Sequence, residues 1–154
     1  MSLRPVFGTL DREQIDALLA RHHVARIAYA HRDRVDLEPI HIVCRDGWLY
    51  LRTQPGTKLA TLRHSPWVAV EIDEVHGLFE WASVVVRGRL TLLEDGPHDD
   101  ARARYATAVA ALRTLVPAAF TPDDPTPDRT VIGALYLDEV EGRRATSAPT
   151  AAAS

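Results

Sequence analysis

Residues 24–93 form a succession of short β-rich runs broken by turn residues, and this pattern limits the possible folds more than any other feature of the chain. The runs cover residues 24–30, 35–44, 48–53, 68–73 and 81–93, each rich in Val, Ile, Leu or aromatic side chains and bounded by turn formers. Arg32-Asp33 and Arg45-Asp46-Gly47 separate the first three runs at hairpin spacing, and the Asp-Gly pair tolerates the positive φ that tight hairpins need. Consecutive strands are therefore expected to pair antiparallel, and residues 131–140 read as a final strand. Three helices interrupt this series rather than alternating with it, so the pattern indicates an α+β barrel and not a set of βαβ units. Neither a GxGxxG fingerprint nor a Walker loop occurs, and no internal repeat is visible.

Helix signals are equally local. Thr9 or Asp11 can cap a helix over residues 10–22, where Asp11 and Gln14 have capping-box spacing and Leu10, Ile15, Leu18 and Leu19 recur near the helical period. Pro55-Gly56 breaks the strand pattern, after which Leu59, Leu62 and Arg63 fit a short helix ending before Ser65-Pro66. A longer helix is expected over residues 99–116, with Ala101, Tyr105, Ala108, Leu112 and Leu115 on one stripe and Arg102, Arg104 and Arg113 outside it. Residues 117–129 are rich in proline and acid and read as an irregular loop. A chain of 154 residues suits one domain, assigned here to residues 1–146, followed by a small, alanine-rich tail over 147–154 expected to be flexible.

Charge and cysteine content narrow the function. Lys and Arg number 18 against 21 acids, interleaved along the chain, so no basic face for nucleic acid is expected. Cys44 is the only cysteine, which excludes an internal disulfide and a multi-cysteine zinc site and fits a cytoplasmic, reducing location. The seven histidines fall into no HExxH or similar spacing, so no metal site is expected. No stretch of about 18 apolar residues occurs and residues 1–10 lack an apolar run, so neither a membrane span nor a signal peptide is expected.

The segment Leu49-Tyr50-Leu51-Arg52-Thr53-Gln54-Pro55-Gly56-Thr57-Lys58-Leu59 is the most informative for chemistry. A strand delivers a guanidinium to a turn that opens a helix, and the free N–H groups of that helix start, the Thr57 hydroxyl and the Lys58 ammonium all suit a phosphate. Arg52 can add a forked contact. Two-residue periodicity puts Trp48, Tyr50 and Arg52 on one face and Leu49, Leu51 and Thr53 on the other. The alternative is that Thr57 merely caps a helix while Arg52 and Lys58 are solvated charges, and the residues alone leave both readings open.

The order of several pieces resembles the pyridoxamine 5'-phosphate oxidase-like FMN-binding split-barrel family, especially its nitroimidazole-resistance-protein-like branch. These pieces are Arg26-Ile27-Ala28, Glu38-Pro39-Ile40, Tyr50-Leu51-Arg52-Thr53, Gly56-Thr57-Lys58-Leu59, Val68-Ala69-Val70-Glu71-Ile72-Asp73 and Trp81-Ala82-Ser83-Val84-Val85-Val86-Arg87-Gly88-Arg89. The resemblance covers about residues 10–93 and implies an antiparallel split β-barrel with flanking helices. It further implies that Arg52, Thr57 and Lys58 hold the FMN phosphate, with Leu59 closing the segment. Arg26 and its strand neighbour Ile27 would line the ribityl chain and ring, and Pro39, Ile40 and Thr53 would lie near the isoalloxazine. Because such proteins form homodimers with the flavin at the interface, Trp81, Ser83 and Val84 would approach the cofactor held mainly by the other subunit.

The resemblance implies a flavoprotein, with a reduced nicotinamide or similar donor and a small-molecule acceptor as the expected reaction class. A deazaflavin coenzyme or haem is the alternative cofactor, and a binding or sensor protein without turnover the alternative role. Pyridoxamine phosphate oxidase activity itself fits poorly, because the serine-arginine-lysine phosphate motif stands here as Gly56-Thr57-Lys58 and Glu141-Gly142-Arg143-Arg144 does not reproduce the substrate-phosphate pattern. No catalytic residue can be named. His41 is a candidate proton donor or a histidine with a structural hydrogen bond. Gly88 permits close approach or strand curvature, and Glu71, Asp73 and Glu74 read as a solvated acidic edge.

Overall fold

The computed structural model describes residues 2–150. These form strands β1 (Leu3–Thr9), β2 (Val24–His31), β3 (Arg34–Arg45), β4 (Trp48–Thr53), β5 (Trp67–Gly77), β6 (Glu80–Arg89), β7 (Thr91–Leu93), β8 (Val131–Tyr136) and β9 (Glu139–Pro149), with helices α1 (Arg12–Arg21), α2 (Thr57–His64) and α3 (Asp99–Leu115). All pairings are antiparallel, in the order β1-β9-β6-β5-β2-β3-β4-β8-β7.

Two features bend this sheet into a split barrel. The long strand β3 pairs with β2 through Arg34–His41 and with β4 through Ile42–Arg45, so it belongs to both halves. The chain also breaks at Leu90, whose N–H donates to the Pro66 carbonyl at 2.8 Å, and passes from β6 in one half to β7 in the other. The expected single strand over residues 81–93 is thereby two strands. Gly88 lies near this corner, where a Cβ would stand 2.9 Å from Leu135 Cδ1, so its role is close approach.

Alternation along the strands then fills the interior. Ala25, Ile27, Ile42, Leu49, Leu51, Val68, Val70, Ile72, Val84 and Val86 point inward and join Ile15, Leu18 and Leu19 of α1 in one apolar core. The opposite face of β3, β4 and β8 buries Val43, Tyr50, Ile132 and Ala134 against Ala108, Ala111 and Leu112 of α3. Each such fully buried aliphatic or aromatic side chain contributes roughly 1.5–3 kcal/mol relative to exposure. The capping box is present as expected: the Gln14 N–H donates to Asp11 Oδ1 at 2.8 Å, and the Asp11 N–H donates to Gln14 Oε1 at 2.9 Å. Asp46 (φ 51°) and Gly47 (φ 81°) form the turn expected between β3 and β4.

Three further expectations need correction. The reading of residues 131–140 as one strand fails because Leu137-Asp138 turns the chain, and a further strand β9 runs from Glu139 to Pro149 between β1 and β6. Ser147–Pro149, expected to be the start of a flexible tail, pair with Leu3–Pro5; residues 151–154 of that tail lie outside the described residues. Glu71 and Asp73 are not on a sheet edge, because β5 is flanked on both sides by β2 and β6. Residues 117–129 do form a loop of turns, as expected.

Candidate functional site

Strand β4 ends at Thr53, and Gln54-Pro55-Gly56 turns the chain directly into α2. Gly56 sits at φ 157° and ψ −163°, a region open essentially to glycine alone, so this residue sets the angle at which Thr57 and Lys58 are presented. The N-terminus of α2 receives no side-chain cap, so its first N–H groups remain free to meet a ligand. Around this turn lies a cleft of about 290 Å³. Its walls are Glu38, Pro39 and Ile40 of β3, Arg52 and Thr53 of β4, the residues from Gln54 to Lys58, and Arg129.

Charges in the cleft are paired in a way the sequence did not disclose. Lys58 Nζ lies 3.1 Å from Glu38 Oε2, and Tyr29 Oη donates to Glu38 Oε1 at 2.7 Å. Burial pushes the Glu38 carboxyl up, yet the hydrogen bonds from Tyr29 and Lys58 outweigh it and leave the carboxyl below its ordinary range. Burial, followed by the Glu38 hydrogen bond, pushes the Tyr29 phenol up to about 12.

Arg52 is committed more fully. Its Nη2 donates to Asp124 Oδ2 at 2.7 Å, its Nε donates to the Arg129 carbonyl at 3.0 Å, and its guanidinium lies 4.1 Å from the centre of the Phe120 ring. Asp124 also accepts the N–H groups of Phe120 at 2.7 Å and Thr126 at 2.9 Å. Hydrogen bonds from Arg52 and from these N–H groups hold the Asp124 carboxyl well below the usual carboxylate range, against the opposing effect of burial. Arg52 therefore lines the cleft while organising residues 120–129, and its charge is already balanced by a carboxylate with a 2% exposed side chain.

The structure brings Pro39, Ile40, Arg52, Thr53, Thr57 and Lys58 together on one cleft. Leu59 is buried one residue beyond it and packs inward. Arg26 neighbours Pro39 across the β2–β3 ladder, with Nη1 3.3 Å from Asp73 Oδ1. Ile27 and Val84 belong to the inner face, 1% and 0% exposed, and their side chains pack in the core. Trp81 and Ser83 lie on the outer face of β6, with β5 and β2 intervening before β3, and do not border this chain's cleft. Trp81 packs against Phe7 of β1, ring centres 6.4 Å apart.

His41 is exposed and borders an apolar cavity of about 180 Å³ with Leu112, Leu115, Val116 and Pro125, which shares Arg52 and Arg129 with the cleft. Its imidazole makes no hydrogen bond with another described residue. Asp124 and Arg129 were missed by sequence reasoning because they sit in a loop without periodicity, more than 70 residues from Arg52. Glu38 was visible only as part of a motif, and no local signal places it on Lys58. Among the described residues, no group of three or more His, Cys, Asp or Glu side chains is placed to hold a metal, and no helix is long and apolar enough to cross a membrane.

This split barrel with a β4–α2 cleft has clear relatives. The model of the pyridoxamine 5'-phosphate oxidase family matches residues 11–144, and the chain belongs to that family. A FAD-binding protein from Mesorhizobium loti is 25% identical with a TM-score of 0.71, covering 94% of this chain and 99% of that one. A candidate 5-nitroimidazole antibiotic resistance protein from Bacteroides thetaiotaomicron superposes with a TM-score of 0.68 at 15% identity, covering 95% and 92%. A FAD and haem binding protein from Mycobacterium smegmatis gives 0.66 at 19% identity, covering 95% of this chain and 76% of that one. In sequence, an uncharacterised protein of Rhizobium meliloti (strain 1021) is 32% identical over 80 residues. That match spans 52% of this chain and about half of the relative, 53%.

Proposed function

We propose that this protein binds a flavin nucleotide, FMN in the first instance, in the cleft between β3, β4 and α2. The single observation that carries the reading is the grouping of Thr57, Lys58 and the uncapped start of α2 around a cleft that Pro39, Ile40 and Thr53 also line. Those groups fit a phosphate at one end and an apolar, hydrogen-bonding ring at the other. Lys58 supplies a point charge, the Thr57 hydroxyl a donor, and Pro39 with Ile40 an apolar wall that excludes water. The flavin, when bound, would supply hydride and electron chemistry; the chain's own part is to bind, orient and shield it. On this reading the protein is an oxidoreductase that passes electrons from a reduced nicotinamide or similar donor to a small acceptor.

FAD is the second reading, favoured by the likeness to the FAD-binding Mesorhizobium loti protein. A deazaflavin coenzyme and haem are further occupants to be compared, and a binding or sensor role without turnover is the alternative to an enzyme.

The proposal includes a homodimer. The outer face of the sheet carries Leu3, Phe7, Val35, Leu37 and Val75, each more than 60% exposed, which is a large apolar area for a free surface. On the same face Glu71 Oε1 is buried without a hydrogen-bond partner among the described residues. Burial and the neighbouring Asp73 carboxylate push the Glu71 pKa up, as for a group lacking its partner. A second copy seated there would cover these residues and bring its Trp81 and Ser83 toward the cleft. A cytoplasmic location completes the proposal and rests on the free thiol of Cys44.

The test is the absorption spectrum of the purified protein, followed by titration with FMN, FAD, a deazaflavin coenzyme and haem. A flavin spectrum and submicromolar FMN binding are expected. Reduction of the bound flavin by a nicotinamide donor with catalytic reoxidation would establish an enzyme, and tight binding without turnover a carrier. Haem or deazaflavin binding with no affinity for FMN or FAD would refute the flavin assignment. Light scattering should give twice the chain mass.

A further inference from the structure

Three cations line the cleft, and they are not equivalent. Arg52 is neutralised by Asp124 at 2.7 Å, and Lys58 faces Glu38 at 3.1 Å. Arg129 also lines the cleft, and its guanidinium forms no ion pair or hydrogen bond with another described residue. With Glu38 and Asp124 each cancelling one cation, Arg129 supplies the residual positive charge of the site. Its carbonyl accepts Arg52 Nε at 3.0 Å, so the backbone that carries Arg129 is pinned to the end of β4 beside Thr53.

We infer that Arg129, and not Arg52, is the second cation that meets the phosphate of the bound nucleotide, and that Arg52 with Asp124 is the positioning pair that holds Arg129 at the cleft. The inference rests on the flavin-nucleotide reading for the identity of its ligand and on the cleft's charge distribution for its residue. A guanidinium already held by a carboxylate, a carbonyl and an aromatic face gains little from a phosphate, because it would have to break those contacts first. The partly buried Arg129 guanidinium, with no partner among the described residues, loses only water. The arrangement also gives Asp124 a reason to be acidic: a neutral residue there would leave Arg52 free to compete for the phosphate and would release the segment that carries Arg129.

The decisive experiment is a fluorescence titration of the wild type, Arg129→Gln and Lys58→Ala with FMN and with riboflavin, which lacks the phosphate. Arg129→Gln is expected to weaken FMN about ten- to a hundredfold and to change riboflavin less than about twofold. If Lys58→Ala lowers the FMN-to-riboflavin preference and a folded Arg129→Gln protein keeps it, the role of Arg129 is overturned while the flavin reading stands. If the wild type binds no flavin, the flavin reading falls alone. The anion site is then decided by inorganic pyrophosphate with ¹⁵N-labelled protein: a titrating shift of the Arg129 Nε–H signal upholds it, and an unmoved signal overturns it.

Discussion

On the proposed reading a phosphate held by Lys58 would lie beside Glu38, and replacing Glu38 with glutamine isolates the electrostatics of the cleft. Its carboxylate is 3.1 Å from Lys58 Nζ, and a phosphate oxygen seated on the same ammonium would be about 2.8 Å from it. The two anions would then lie within about 6 Å of each other. Coulomb's law at that separation gives about 0.7 kcal/mol of repulsion per negative charge at an effective dielectric of 80 and about 2.8 kcal/mol at 20. Because the Glu38 side chain is 36% exposed, the screened end applies, and about 1 kcal/mol is a reasonable figure. Glu38→Gln keeps the shape and an acceptor for the Tyr29 hydroxyl, so the fold should be undisturbed. FMN should bind about fivefold more tightly to the variant at low salt, riboflavin should be unchanged, and the FMN gain should shrink as ionic strength rises. Isothermal titration at two salt concentrations measures all three. Weaker FMN binding, or an equal gain for riboflavin, would show that Glu38 contacts the flavin rather than opposing its phosphate, and the placement of the phosphate on Lys58 would fall.

Two further measurements probe the groups around the site. The depressed pKa of Asp124 contributes stability that is fully present above the ordinary carboxylate pKa of about 3.9 and is lost as pH falls through the lower folded value. Asp124→Asn should therefore melt below the wild type at pH 7, with the gap in Tm narrowing below about pH 4; a gap independent of pH would contradict the ion pair. Burial, with a smaller push from Asp16, raises the Cys44 thiol to about 12, so at pH 8 a thiol reagent should label the native protein at least about a hundredfold more slowly than the urea-unfolded chain. Equal rates would place Cys44 outside the packed interior.

Local patterns carried much of this structure. The capping box of α1, the Asp46-Gly47 turn and the strand periodicity of β2 to β5 depend on residues a few positions apart, and all were readable, whereas the break at Leu90 between β6 and β7 was not. The turn from β4 into α2 was legible for the same reason, because Pro55, Gly56, Thr57 and Lys58 are contiguous. What stayed hidden is non-local. Strand β1 contains Pro5 and Gly8, poor strand formers that an edge position tolerates, and its partner residues lie at the other end of the chain. Gly142 weakens β9 as a local strand, yet a Cβ there would stand 2.7 Å from Leu10 Cβ and 2.9 Å from Ile15 Cγ1, so α1 requires it. A guanidinium at a strand end suits phosphate, and nothing near Arg52 in sequence announces its pairing with Asp124. The inward side of a strand is legible as a two-residue repeat, which places the Ile27 and Val84 side chains in the core.

The place of β9 between β1 and β6 has a consequence for how the molecule is made. During synthesis the hydrogen-bonding edge of Trp81–Arg87 must wait, open, until residues 139–145 emerge, and the first strand waits longer still for its neighbour β9. A nascent or truncated chain ending near Asp138 would thus present a long bare β edge capable of pairing with another such chain. Closure of the sheet waits for β9, and the β6 edge stays open while residues 88–138 are added.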